Sequence, residues 1–281
     1  MTDSMNPAVV KVLLDNGIIS NAEFIEPAIK TQELLWGSHK ILDHIPGFRR
    51  KPPHENEEYQ RQINAIFTIG RLIREGRISA YTSNEIRFES YRRRCTIKEF
   101  NALKHCNIFN CPTPIERSKF RKTISFSEHV SKGGKKDIAK GVDLGSANQI
   151  PFMEWLRDLD EPTIHRILEY REILDLTEFE VESLRKIEWY KFICSRFRSS
   201  ENLPDAFHLW TAERNHMDVF LTLEKTLPNL VKQIKEDKNN RLTITTEVLR
   251  PIEFLCWMGV KEPDEVPIKH DKFYTFFEVY Y

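Results

Sequence analysis

The chain has 281 residues, 40% hydrophobic and 30% charged, which suits one large globular domain or a domain with an appended piece. Forty-two basic residues balance 42 acidic ones, so a globally basic nucleic-acid binder is excluded and any basic surface must be local. Asp3, Asp15, Glu23 and Glu26 interrupt any apolar signal-peptide core, and no stretch approaches the roughly 18 apolar residues of a membrane span, so no membrane association is expected.

The run Val9-Val10-Lys11-Val12-Leu13-Leu14, followed by Asp15-Asn16-Gly17, reads as a buried strand ending in a turn. Residues 21–54 carry Pro27, Pro46, Pro52 and Pro53, and predict one helix from Phe24 to about Leu35 followed by a proline- and charge-rich loop. Ile63, Ile66, Phe67, Gly70 and Ile73 recur at helical spacing, with Gly76 where a C-cap belongs. Ile78 to Tyr81 then predicts a strand. Thr82 and Glu85 have capping-box spacing, which predicts a helix running through Glu89 towards Arg92, Arg93 and Arg94.

Residues 112–150 are broken by Pro112, Pro114, Gly133, Gly134, Gly141 and Gly145. Eight Lys/Arg face two Asp/Glu between Arg117 and Lys140, as expected of a basic insertion. Helices are expected again after Pro151, with starts at Asp160-Glu161-Pro162 and at the Thr177/Glu180 capping box. Leu184, Ile187, Tyr190, Cys194 and Phe197 trace one helical face. Pro204-Asp205-Ala206 opens a short helix, Asp218 to Thr222 predicts a strand, Leu227 to about Lys235 a helix, Leu242 to Thr246 a strand, and Pro251 to Gly259 a helix. The tail after Pro263 is aromatic and must dock, on its own domain or on a partner chain. Alternating strands and helices predict an α/β fold with a central parallel sheet and helices on both faces. Five cysteines, an odd number, fit a reducing cytoplasm better than a disulfide framework. His105, Cys106 and Cys111 lack the spacing of a zinc site.

In an open parallel sheet, functional groups gather at the carboxyl ends of the strands. Asp15 and Glu224 follow predicted strands, Asp205 opens a helix, and Glu89 lies on the helix after the second core strand. Clustered carboxylates raise one another's pKa, a cost that a divalent cation removes. Mg²⁺ or Mn²⁺ suits oxygen ligands and phosphodiester hydrolysis. His208, one turn after Asp205, reads as a packed or surface histidine before it reads as a phosphate contact.

The run Pro204-Asp205-Ala206-Phe207-His208-Leu209-Trp210-Thr211-Ala212, with Asp218-Val219-Phe220-Leu221-Thr222-Leu223-Glu224-Lys225 and Pro251-Ile252-Glu253-Phe254-Leu255, resembles the C-terminal half of a PIN domain. Asp15 matches that family's first acid, and Glu89, six residues after Ser83, its second. The resemblance implies a three-layer α/β/α fold, a core over about 8–95 and 177–260, an insertion over 96–160 and a tail over 261–281. It implies catalytic, metal-holding roles for Asp15, Glu89, Asp205 and Glu224, Mg²⁺ or Mn²⁺ dependence, and cleavage of single-stranded or structured RNA. Arg92, Arg93, Arg94, Thr222, Lys135 and Lys136 are the expected substrate contacts, a solvated loop being the alternative for the basic ones. Such folds are often toxins of toxin–antitoxin pairs, so an antitoxin, another protein partner or a homodimer is open, as are defence and RNA-processing roles. Two departures, Asn16-Gly17 after Asp15 and Glu in place of Asp at 224, motivate the alternative of a weak or inactive RNA-binding or assembly module. A structure-specific DNA nuclease is the further alternative.

Overall fold

The structure is a computed structural model, and it describes residues 9–90, 101–120, 149–197, 199–237 and 242–275. In chain order, β1 (Val10–Leu14) leads to a short α1 (Asn16–Asn21), a long hairpin of β2 (Ile25–Trp36) and β3 (His39–Arg50), α2 (Glu57–Arg74), β4 (Ile78–Ser83), α3 (Asn84–Ser90) and β5 (Ile108–Cys111). There follow α4 (Gln149–Arg157), α5 (Glu161–Glu169), α6 (Glu178–Arg185), α7 (Ile187–Arg196), α8 (Leu203–Arg214), β6 (Val219–Leu221), α9 (Thr226–Glu236), β7 (Glu247–Leu249), α10 (Pro251–Trp257) and β8 (Phe273–Tyr274).

The central sheet has the order β5-β4-β1-β6-β7, and every neighbouring pair in it is parallel. Alternate side chains of β1 go to opposite layers. Val12 and Leu14 pack with Ile18 of α1, Ile66 and Ile69 of α2 and Phe254 of α10, whereas Leu13 packs with Met153 of α4, Tyr190 of α7 and Phe207 of α8. Both faces of the sheet are therefore covered by helices, as a parallel sheet requires. Strands are added first on one side of β1 (β4, β5) and then on the other (β6, β7). The winding reverses between β1 and β6, and the carboxyl ends there form the switch point at which open α/β sheets leave a crevice.

Asn56 caps α2 by accepting from the amide of Tyr59. Several expectations hold: Gly76 follows α2 at φ 72°, Asp160 caps α5, and Thr177 and Glu180 form a complete capping box on α6. Others are corrected. The predicted helix from Phe24 to about Leu35 and the loop after it are instead the β2–β3 hairpin, paired from Ile25↔Arg50 to Trp36↔His39. Its two-residue turn needs a positive φ, which Gly37 supplies at 62°. With β8 these strands form a second, three-stranded antiparallel sheet.

Thr82 and Glu85 do not cap α3. Thr82 belongs to β4 and its buried hydroxyl has no hydrogen-bond partner among the described residues, while Glu85 pairs with Arg117 at 3.1 Å. The Ser83 hydroxyl faces the Ile86 amide at 3.5 Å instead. The face traced from Leu184 to Phe197 spans two helices that break at Lys186. The last core strand is Glu247–Leu249, not 242–246. The amides of Thr245 and Thr246 donate to the Glu213 carboxylate at 2.6 and 2.7 Å, which ties that segment to the end of α8 rather than to the sheet. No helix among the described residues is long and apolar enough to cross a membrane.

Candidate metal centre

Asp15 is the first residue after β1 and caps α1, its Oδ1 accepting from the Asn16 amide at 2.7 Å. Its Oδ2 accepts from the Thr222 hydroxyl at 2.8 Å, across the β1–β6 crevice. The same hydroxyl accepts from the Glu224 amide at 3.1 Å. Thr222 thus fixes the rotamer of one acid and the backbone of the turn bearing another. Arg250 steadies that turn from behind. It donates to the Leu223 carbonyl at 3.2 Å and pairs with Glu58, whose carboxyl is held down to about 2 by Arg250 and Lys225.

Glu89 reaches the crevice from α3, and α8 supplies Asp205 in its first turn and His208 one turn on. Glu89 accepts from the Gln149 amide at 2.9 Å and lies 3.0 Å from His208 Nε2. α8 is buried nearly all round, because it runs between the sheet and helices α4 and α7. His208 is consequently 1% exposed, and its Nδ1 has no hydrogen-bond partner among the described residues.

Ligand atoms of Asp15, Glu89 and His208 all lie within 4.8 Å of one another, and no other such group of His, Cys, Asp or Glu occurs among the described residues. Asp205 and Glu224 lie outside this closest group, with Glu224 on the exposed rim. The acids nevertheless act on one another. Burial pushes the Asp205 carboxyl up to about 7, Asp15, Glu224 and Glu89 push the same way, and His208 opposes them. Burial also raises Asp15, against the pull of His208 and the Thr222 hydroxyl. At His208 burial disfavours the charge, but Glu89, Asp15 and Asp205 prevail and hold its pKa up at about 9.

These shifts state the chemistry of the cluster. Three carboxylates, Asp15, Glu89 and Asp205, act on one buried imidazole, and Glu224 stands exposed beside them. Two carboxylates and an imidazole close enough to share one ion, with a further two acids beside them, form a donor set that a divalent cation fits. The nitrogen donor departs from the all-carboxylate set expected from the sequence.

Of the four expected acids, Asp15 and Glu89 meet with His208, the member the sequence reading set aside, while Asp205 and Glu224 lie outside that group and are linked to it only through their charges. The pertinent signal for His208 was its place one turn after Asp205 on a single helix. Thr222 is 1% exposed and turned onto Asp15, which makes it an orienting group for the acid. Arg92, Arg93, Arg94, Lys135 and Lys136, and residues 121–140 of the basic segment, lie outside the described residues. Cys106 donates to the Gly70 carbonyl at 3.3 Å, and burial pushes the Cys111 thiol up to about 12. No protein-family model matches the chain, and neither a curated protein nor a solved structure matches it.

Proposed function

We propose that this protein is a metal-dependent, PIN-like ribonuclease that hydrolyses RNA phosphodiesters at the β1–β6 crevice. The observation that carries the reading is the meeting of Asp15, Glu89 and His208 within 4.8 Å at the carboxyl edge of a parallel sheet, with Asp205 and Glu224 alongside. Asp15, Glu89 and His208 would hold Mn²⁺ or Mg²⁺, with Asp205 and Glu224 completing the acidic rim. A cation there supplies activation of a water nucleophile and neutralisation of charge developing on the phosphoryl group. Thr222 keeps Asp15 aimed, and Gln149 keeps Glu89 aimed. Asp205, with its pKa near neutrality, is placed to accept or return a proton at its carboxylate during turnover. The choice of RNA rests on the resemblance of residues 204–225 and 251–255.

A second reading is a non-catalytic RNA-binding or assembly module. It is favoured by the His208–Glu89 pair, since the imidazolium already neutralises one carboxylate without a metal, and by the exposed position of Glu224. The deciding assay follows labelled single-stranded RNA in Mn²⁺ for wild type, Asp15→Asn and Asp205→Asn, with single-stranded and branched DNA in parallel. Cleavage of RNA by wild type, reduced at least about a hundredfold in both variants, is the expected outcome. Equal cleavage by all three proteins overturns the proposal, cleavage of DNA alone replaces RNA as substrate, and no cleavage by any leaves the binding module.

A further inference from the structure

A second cleft begins at the turn that carries Thr222 and Glu224. It encloses about 480 Å³, within the roughly 300–1,000 Å³ of sites that take one small ligand. Lys225 follows Glu224 directly and lines this cleft, as does Arg250, which donates to the Leu223 carbonyl at 3.2 Å. From there the cleft runs between α9 and β7, the last strand of the central sheet. Pro228, Val231, Val248 and Leu249 give it an apolar lining. Its α9 side is also polar, because Lys225, Asn229 and Lys232 follow at i, i+4 and i+7 and share one face of that helix. Lys225 and Lys232 are about 10 Å apart along the helix axis. The ion pairs of these two lysines are loose. Glu58 serves Arg250 and Lys225 together, so two cations share one carboxylate at this end, and Lys225 remains 58% exposed. Lys232 reaches Glu236 only at 4.0 Å, with side chains 74% and 67% exposed. Exposed pairs of this kind contribute little, so either lysine can exchange its carboxylate for another anion. The other acids of the cleft are engaged, Glu247 by Lys235 at 2.7 Å and Glu253 by Gln62 at 3.3 Å.

We propose that this cleft holds the RNA strand on one side of the scissile phosphate, with Lys225 and Lys232 on two backbone phosphates and Asn229 between them. The inference rests on the nuclease reading above, which supplies the substrate. A phosphate backbone is the occupant because the groups of the cleft that can exchange partners are cations, and because the cleft starts one residue from the acidic rim of the metal centre. The apolar lining then meets ribose and base faces. Contacts to phosphate position a strand without reading its sequence, so this cleft orients RNA and does not select among bases.

Fluorescence anisotropy with labelled single-stranded poly-U and poly-A in EDTA reads binding without cleavage. It compares the wild-type full chain with Lys225→Ala, Lys232→Ala, the double variant, and Lys191→Ala, which removes a lysine of α7 outside the cleft. Each cleft substitution is expected to weaken binding at least about threefold and to lower the slope of log affinity against log salt by about 0.7, equally for both RNAs. Lys191→Ala is expected to change neither. Unaltered affinity and slope in the double variant overturn the proposal, as does an equal loss in Lys191→Ala or a wild type that binds neither RNA. Cleavage in Mn²⁺ separates this inference from the nuclease reading. Binding that depends on the two lysines in a wild type that cuts no RNA keeps the cleft and removes the nuclease. Cleavage by a wild type whose binding ignores the two lysines keeps the nuclease and removes the cleft.

Discussion

At the scale of single residues, Asp205 links the chemistry of the crevice to the stability of the fold. Its folded pKa of about 7 stands above the ordinary aspartate value of 3.8, so the metal-free folded chain holds this proton more tightly than the unfolded chain does. The resulting stabilisation is complete below about pH 4 and is lost as pH rises through 7, a swing of at most about 4 kcal/mol. Asp15 is shifted in the same direction, and His208, held at about 9, loses its contribution as pH rises through that value. Asp205→Asn cannot ionise. In EDTA the variant is therefore expected to be more stable than wild type at pH 8, with the gap closing by pH 4. Urea unfolding at the two pH values checks this, and equal gaps at both would show that Asp205 is not strained by its neighbours. The sequence already exposed this residue, because an acid within the first turn of a helix and one residue after Pro204 is a local pattern. It did not expose His208 as a partner of Glu89, since that pair is separated by 119 positions and depends on how α3 and α8 cross.

At the scale of elements, close approach outweighs helix propensity at Gly70. This glycine is in the middle of α2, where alanine would ordinarily gain about 1 kcal/mol. A Cβ there would overlap the Ala102 carbonyl oxygen, to which Arg74 donates at 2.7 Å, and the Gly70 carbonyl itself accepts from Cys106. Overpacking against backbone costs about 1–3 kcal/mol, more than the propensity gain. Gly70→Ala is thus expected to lower the urea midpoint, and a raised midpoint would mean that the 101–106 segment can move away from α2 without loss. α2 itself was legible, because its apolar residues repeat on one stripe and Gly76 follows its end. The hairpin was not, because β2 has no alternation of buried and exposed positions beyond its base and carries apolar residues on both faces. Residues 242–246 misled for a related reason. Their threonines have strand propensity, but their amides are taken by Glu213, and the sheet receives Glu247–Leu249 instead.

At the scale of the molecule, the parallel sheet followed from the order of strands and helices, whereas the position of the crevice followed from the reversal of winding at β1. That reversal brings Asp15 beside Thr222 and allows α3 and α8, far apart in the chain, to point Glu89 and His208 at the same place. A cation held there would join the end of β1 to α3 and α8, and would act on global stability rather than on one loop. At free Mn²⁺ a hundredfold above Kd, binding to the folded state alone contributes about 2.7 kcal/mol, which in a chain of this size raises Tm by roughly 5 °C. His208→Gln keeps a polar group of similar reach but a weaker ligand, and it is expected to lower Mn²⁺ affinity about 10- to 100-fold and to remove most of the shift. Asp15→Asn is expected to remove it entirely, since it takes away a ligand shared by both sides of the crevice. Calorimetric titration and thermal melts with Mn²⁺, Mg²⁺ and EDTA measure both effects. A Tm that ignores Mn²⁺ in the wild type would leave His208 as the only cation of the cluster. The Glu89–His208 pair would then be a structural ion pair, and the four acids a surface for binding rather than for catalysis.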